Sequence, residues 1–160
     1  MNDNIEKAQA NLIQVILANT TSAMNISSIL CEHSSDKILK SDEVICGLIY
    51  RLMIPMTDDE IRDSMSIAES LMYEESSDDD DDVDDVDDVD DDDVDDDVDD
   101  DIVVDECQSR SIRTNNCNCD ICSQVRVCLC NFKDYLPKDE LGDKFKESIL
   151  TTCLTHNKII

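Results

Sequence analysis

The sequence predicts a mostly α-helical protein in three parts. These are a small N-terminal helical bundle, a disordered poly-Asp linker, and a small cysteine-rich C-terminal α+β module made of a β-hairpin and a helix. Three observations carry this reading. Apolar residues recur at helical spacing through residues 1–77. Residues 78–101 contain nineteen aspartates and no basic side chain. Residues 102–160 hold seven of the nine cysteines. The expected boundaries are therefore 1–77, 78–101 and 102–160.

The N-terminal elements follow in order. Asp3-x-x-Glu6 has the spacing of a capping box, and Ile5, Ala8, Leu12, Val15 and Ile16 fall on one stripe behind it. Asn19–Ser22 reads as a break, followed by a second helix with Ala23, Ile26, Ile29 and Leu30 inward. Ser41, Asp42 and Glu43 open a third, because acidic groups favour the positive end of the helix dipole. Its apolar members are Val44, Ile45, Leu48, Ile49 and Leu52, and Pro55 ends it by disfavouring helical backbone in the preceding residue. Thr57-x-x-Glu60 caps a fourth helix carrying Ile61, Met65, Ala68, Leu71 and Met72. Four short amphipathic helices make a bundle. A part of about 75 residues lies near the lower limit for unaided stability, which makes a homodimer through it plausible.

The stretch "SDEVICGLIYRLMIPMTDDEI" (Ser41–Ile61), joined to an Asp-rich tract and a Cys-rich tail, resembles uncharacterised proteins of large amoeba-infecting DNA viruses of the mimivirus kind. The resemblance covers mainly residues 41–75. It implies a viral setting, within a host cell or a virion, and implies no activity.

The formal charge of -27 is unevenly placed. Residues 1–77 carry -8, residues 78–101 carry -19, and residues 102–160 balance to zero. Asp is poor in helices and strands, and dense carboxylates repel one another, so Asp78–Asp101 reads as an extended, hydrated linker. Its 24 residues can reach roughly 80 Å. As a neutral spacer it would only separate the two ends. As a polyanion it would attract a basic protein partner in a salt-sensitive way. Calcium binding would be weak and many-sited, since the tract has no Gly for a sharp turn and no closing Glu.

In the tail, "NCNCDICSQVRVCLCNF" has the pattern C-x-C-x2-C-x5-C-x-C. Val125, Val127 and Leu129 alternate with Gln124, Arg126, Cys128 and Cys130, which is strand periodicity. Two C-x-C strands would then present four of Cys117, Cys119, Cys122, Cys128 and Cys130 to one structural zinc ion. A competing grouping joins the Cys119-x2-Cys122 knuckle to Cys153 and His156, three apart on a helix that Pro137 and Asp139 open. Packing as a small hydrophobe is the other reading of Cys153, and His156 could simply be solvated near the helix's negative end. Cys31 and Cys46 read as core residues, and Cys107 fits either role. In a domain with few large apolar residues, metal-binding free energy can act as folding free energy.

No signal peptide is visible and no apolar run approaches the roughly 20 residues of a membrane span. The expectation is a soluble intracellular protein, not secreted, whose thiols stay reduced. That setting would be the cytoplasm or nucleus, or a virion if the protein is viral.

Two His, two Gly and no glycine-rich phosphate loop leave little for an enzyme. Thiol–disulfide exchange at the clustered cysteines is the one enzymatic alternative, although the βαβ context of a thioredoxin-like domain is missing. Arg110, Arg113, Arg126 and Lys133 would make only a modest nucleic-acid patch in a tail without net charge, so direct nucleic-acid binding is not expected. The reading that remains is a non-enzymatic interaction or regulatory protein.

Overall fold

The computed structural model describes residues 2–73 and 108–160. The Asp78–Asp101 tract, Cys107 and the strand expected at Ile102–Val104 lie outside them. The fold is mostly helical, with one very small sheet. Three helices form the first half: α1 (Asn2–Glu32), α2 (Ser41–Met53) and α3 (Asp58–Tyr73). The second half contains β1 (Arg110–Ser111), α4 (Asp120–Asn131), α5 (Glu140–Thr155) and β2 (Lys158–Ile159). Among the described residues, no helix is long and apolar enough to cross a membrane.

Two expectations are corrected. The first is the break at Asn19–Ser22, because α1 runs unbroken for 31 residues, about 46 Å at 1.5 Å per residue. Its polar side chains stay within the helix by bonding back one turn. Asn19 Nδ2 donates to the Val15 carbonyl at 2.8 Å and Thr20 Oγ1 to the Ile16 carbonyl at 2.9 Å. With no Gly or Pro present, nothing interrupts the backbone ladder.

The second is the hairpin over the cysteine cluster, which is helix α4 instead. The alternation of Val125, Val127 and Leu129 is overridden by a helical stripe. Cys122, Val125 and Cys128 are buried on one face, and Phe132 follows at the helix end, while Val127 is 60% exposed. Seven residues are too few for period 2 to exclude period 3.6. Packing against the rest of the chain makes the choice.

Other starts and stops follow local chemistry. Thr57 and Glu60 cap α3 reciprocally, at 2.7 Å from the Thr57 amide to the Glu60 carboxylate and 3.3 Å from the Glu60 amide to the Thr57 hydroxyl. Asp139 accepts from the Gly142 amide at 2.7 Å and so caps α5. Helix α2 ends at Met53, two residues before Pro55. Gly47 allows α1 and α2 to approach, because a Cβ there would collide with Ser27 Oγ and the Ala23 carbonyl.

The two ends of the chain share one apolar core. Ile26 and Leu30 of α1, and Ile45, Cys46, Ile49 and Tyr50 of α2, pack with Val125, Cys128 and Phe132 around α4 and with Ile149 and Cys153 of α5. The segments read from composition as separate modules are thus continuous in space. Polar contacts reinforce the join: Tyr50 donates to Gln124 Oε1 at 3.0 Å, and Tyr135 donates to the Leu52 carbonyl at 3.1 Å.

Asp42, in the first turn of α2, anchors both strands. Arg110 of β1 makes a two-pronged contact to it at 2.8 and 3.1 Å, and the Arg113 amide donates at 3.0 Å. Lys158 of β2 pairs with the same carboxylate. The strands pair in parallel, with Arg110 opposite Lys158 and Ser111 opposite Ile159.

Candidate metal centre

His33, Cys117, Cys119 and Cys122 bring their ligand atoms within 4.8 Å of one another. Among the described residues, this is the one His/Cys/Asp/Glu grouping of that kind. The His33 Nδ1 atom lies 3.4 Å from both Cys119 Sγ and Cys122 Sγ. One ring nitrogen carries at most one proton, so it can donate to only one of the two sulfurs. A cation between them would satisfy all the ligands at once.

Each ligand is placed by an identifiable device. His33 continues the last turn of α1, its amide donating to the Ile29 carbonyl at 3.1 Å. The loop carrying Cys117 is tied to that same end, since Asn115 Nδ2 donates to the Leu30 carbonyl at 3.0 Å. Asn115 also accepts from the Cys117 amide at 3.1 Å, and its own carbonyl accepts from Arg126 at 3.0 Å. Cys119 is the N-cap of α4. Two amides then point at ligand sulfurs: Cys119 N–H at Cys117 Sγ and Cys122 N–H at Cys119 Sγ, each at 3.5 Å. Amides aimed at sulfur favour thiolate, the form that binds metal.

The thiols differ accordingly. The Cys122 amide, helped by side-chain bonds from Cys122, Cys117 and His33, pulls the Cys119 thiol down to about 7 against the effect of desolvation. Burial pushes Cys122 up to about 11. A bound cation would reverse that preference, because a coordinating thiol is deprotonated.

Two edges of the cluster match a tetrahedral ion. Bonds of about 2.3 Å to sulfur and about 2.0–2.1 Å to nitrogen put neighbouring N and S ligands roughly 3.5 Å apart. The observed separation is 3.4 Å on both N–S edges. The cluster could therefore hold a metal ion.

The structure brings together three of the residues singled out from sequence and separates the others. Cys117, Cys119 and Cys122 converge. Cys128 is buried in the core, Cys130 is exposed on the same helix, and Cys153 is buried on α5. Burial raises the thiol pKa values of Cys128 and Cys153, which keeps them protonated, and pushes Cys46 up to about 12. His156 is the exposed C-cap of α5.

His33, the fourth member of the cluster, escaped the sequence reading. It lies 89 residues before Cys122, and no local spacing links them. Its one signal was scarcity, as one of only two histidines beside an incomplete ligand set.

No family model, curated protein or solved structure matches the chain. The functional reading therefore rests on the geometry and chemistry of the site itself.

Proposed function

We propose that the protein is a non-enzymatic interaction protein whose two ends are clipped together by a structural zinc ion. His33, just past the end of α1, and Cys117, Cys119 and Cys122 of the tail would hold it. The observation that carries this reading is the convergence of four ligand atoms within 4.8 Å. Three soft sulfurs and one imidazole suit zinc, and Cys3His is a common structural ligand set. Four protein ligands fill a tetrahedral shell and leave no position for a reactive water, which favours a structural role over hydrolysis.

The interaction part of the proposal rests on charge. The nineteen aspartates of residues 78–101 fall in the sequence between the two described parts that share the core. A polyanion so tethered would engage a basic protein by long-range attraction. Nucleic acid is disfavoured as a direct partner, since phosphates would be repelled.

Native mass spectrometry of the full chain tests the metal part. One zinc per chain, with a melting temperature that falls on adding chelator, is the expected result. A metal-free chain whose melting ignores both zinc and chelator would overturn it. Binding to a polylysine peptide tests the partner. It should weaken with salt and disappear when Asp78–Asp101 is replaced by a neutral Gly/Ser segment, and unchanged binding after that swap would remove the polyanion from the proposal.

A further inference from the structure

We infer that Cys119 and Cys122 form an oxidisable pair, in which a hydroperoxide converts the two sulfurs to a disulfide and thereby expels the ion from the clip. This inference rests on the metal reading above and concerns how that site is controlled.

Four observations support it. The first is placement. Cys119 caps a 12-residue helix, with the Cys122 amide directed at its sulfur at 3.5 Å. The second is access. Cys119 is partly exposed whereas Cys122 is 1% exposed, so within this pair Cys119 is the sulfur an oxidant reaches and Cys122 the one left to resolve it. The site is also open to water on another side, through a polar cavity of about 780 Å³ walled in part by His33 and Cys117.

The third is span. Positions three apart on an α-helix have Cα atoms about 5 Å apart. That falls inside the roughly 4.4–6.8 Å window of a disulfide. The two Sγ atoms already lie within 4.8 Å. The fourth is contrast. Cys46, Cys128 and Cys153 are buried in the core, and Cys130 is exposed but sits near the opposite end of α4.

The chemistry balances with the hydroperoxide as sole oxidant. The Cys119 thiolate attacks the terminal peroxide oxygen. The O–O bond breaks, and the departing alkoxide takes a proton and leaves as an alcohol, or as water when the oxidant is hydrogen peroxide. Cys119 is then a sulfenic acid. The Cys122 thiolate attacks its sulfur, the S–S bond forms, and hydroxide leaves and is protonated to water. Two thiolates, one hydroperoxide and two protons become one disulfide, one alcohol and one water. Two electrons pass from sulfur to the O–O bond. Only His33 and Cys117 remain as ligands, and the ion departs.

The test is a titration of the zinc-loaded full chain with hydrogen peroxide. Zinc release is followed with a chromogenic chelator, and sulfur states are mapped by peptide mass spectrometry. Cys130 serves as an internal reference thiol. The expected result is loss of one zinc per chain in step with a Cys119–Cys122 disulfide, before Cys130 is modified, and recovery on adding dithiothreitol with zinc. Oxidation of Cys130 ahead of zinc release would overturn the inference, as would release accompanied by a disulfide other than Cys119–Cys122. A chain that takes up no zinc at all would instead defeat the metal reading. In that case peroxide mapping of the metal-free chain still decides the pair: a Cys119–Cys122 bridge ahead of Cys130 modification supports it, and its absence refutes it.

Discussion

His33 Nδ1 at the end of α1 lies 3.4 Å from Cys119 Sγ at the start of α4, across 86 residues of sequence. The other histidine, His156, is the C-cap of α5 and is not part of the cluster. His33→Ala should therefore weaken zinc affinity by at least the 10–100-fold that disturbing even an outer partner of a metal site costs. It should also abolish the stabilisation that zinc confers. His156→Ala should change neither. Competition against a chromogenic chelator measures both, and equal effects of the two variants would remove His33 from the ligand set.

Asp42 makes the polar link between α2 and the two strands, and its side chain is 5% exposed. Burial pushes its carboxyl up, but the hydrogen bonds from Arg110, Lys158 and the Arg113 amide outweigh this and hold it at about 2, below the ordinary 3.8. Since the folded value is the lower one, the unfolded chain takes up the proton first as pH drops. The stabilisation is complete above about pH 4, amounts to about 2 kcal/mol, and is lost as pH falls through 2. Asp42→Asn should cost about 3 kcal/mol at pH 7, the lower end for breaking a buried pair, because Arg110 stays half in water. Urea unfolding at pH 7 and at pH 2 checks this, as the difference between the two proteins should shrink at the lower pH.

Val125 and Val127 separate helix from strand in the cysteine-rich segment. In α4, Val125 is 1% exposed and Val127 is 60% exposed. Val125→Ala should cost about 2 kcal/mol, from two lost methyl groups plus the space they leave. Val127→Ala should fall within about 0.5 kcal/mol of zero. A hairpin would place both valines on one face and make the costs similar, so chemical denaturation of the two variants decides between the arrangements.

Gly47→Ala sets propensity against packing. Alanine is better than glycine in a helix by about 1 kcal/mol. Its Cβ would meet the Ala23 carbonyl, which belongs to the backbone of α1 and cannot rotate away, along with Ser27 Oγ. Packing should win, with a net loss of roughly 1–3 kcal/mol. A melting temperature at or above that of the parent chain would show that the two helices separate freely.

The legible part of the fold was the part set by near neighbours. The Thr57/Glu60 box, the Asp139 cap and the Pro55 stop are each complete within a few residues, and the structure places helix ends there. Asn19–Ser22 misled because these residues suit a cap as readily as a helix interior that bonds back to the preceding turn. The stretch around Val127 misled because β-branched alternation is a weak local preference that core packing overrides.

By itself, the sequence determined that the chain is mostly helical, that its charge is concentrated in residues 78–101, and that thiols crowd the stretch after Asn116. Composition and capping are local properties and can be read without coordinates. Tertiary structure alone decided which thiols share a site. A metal centre is defined by convergence in space, and the contact of α4 with α2 brings Cys119 and Cys122 to the end of α1. The same packing turns Cys128 into the core, leaves Cys130 in solvent, and brings in His33 from just past the end of α1, a cluster member that no spacing rule along the chain could have named.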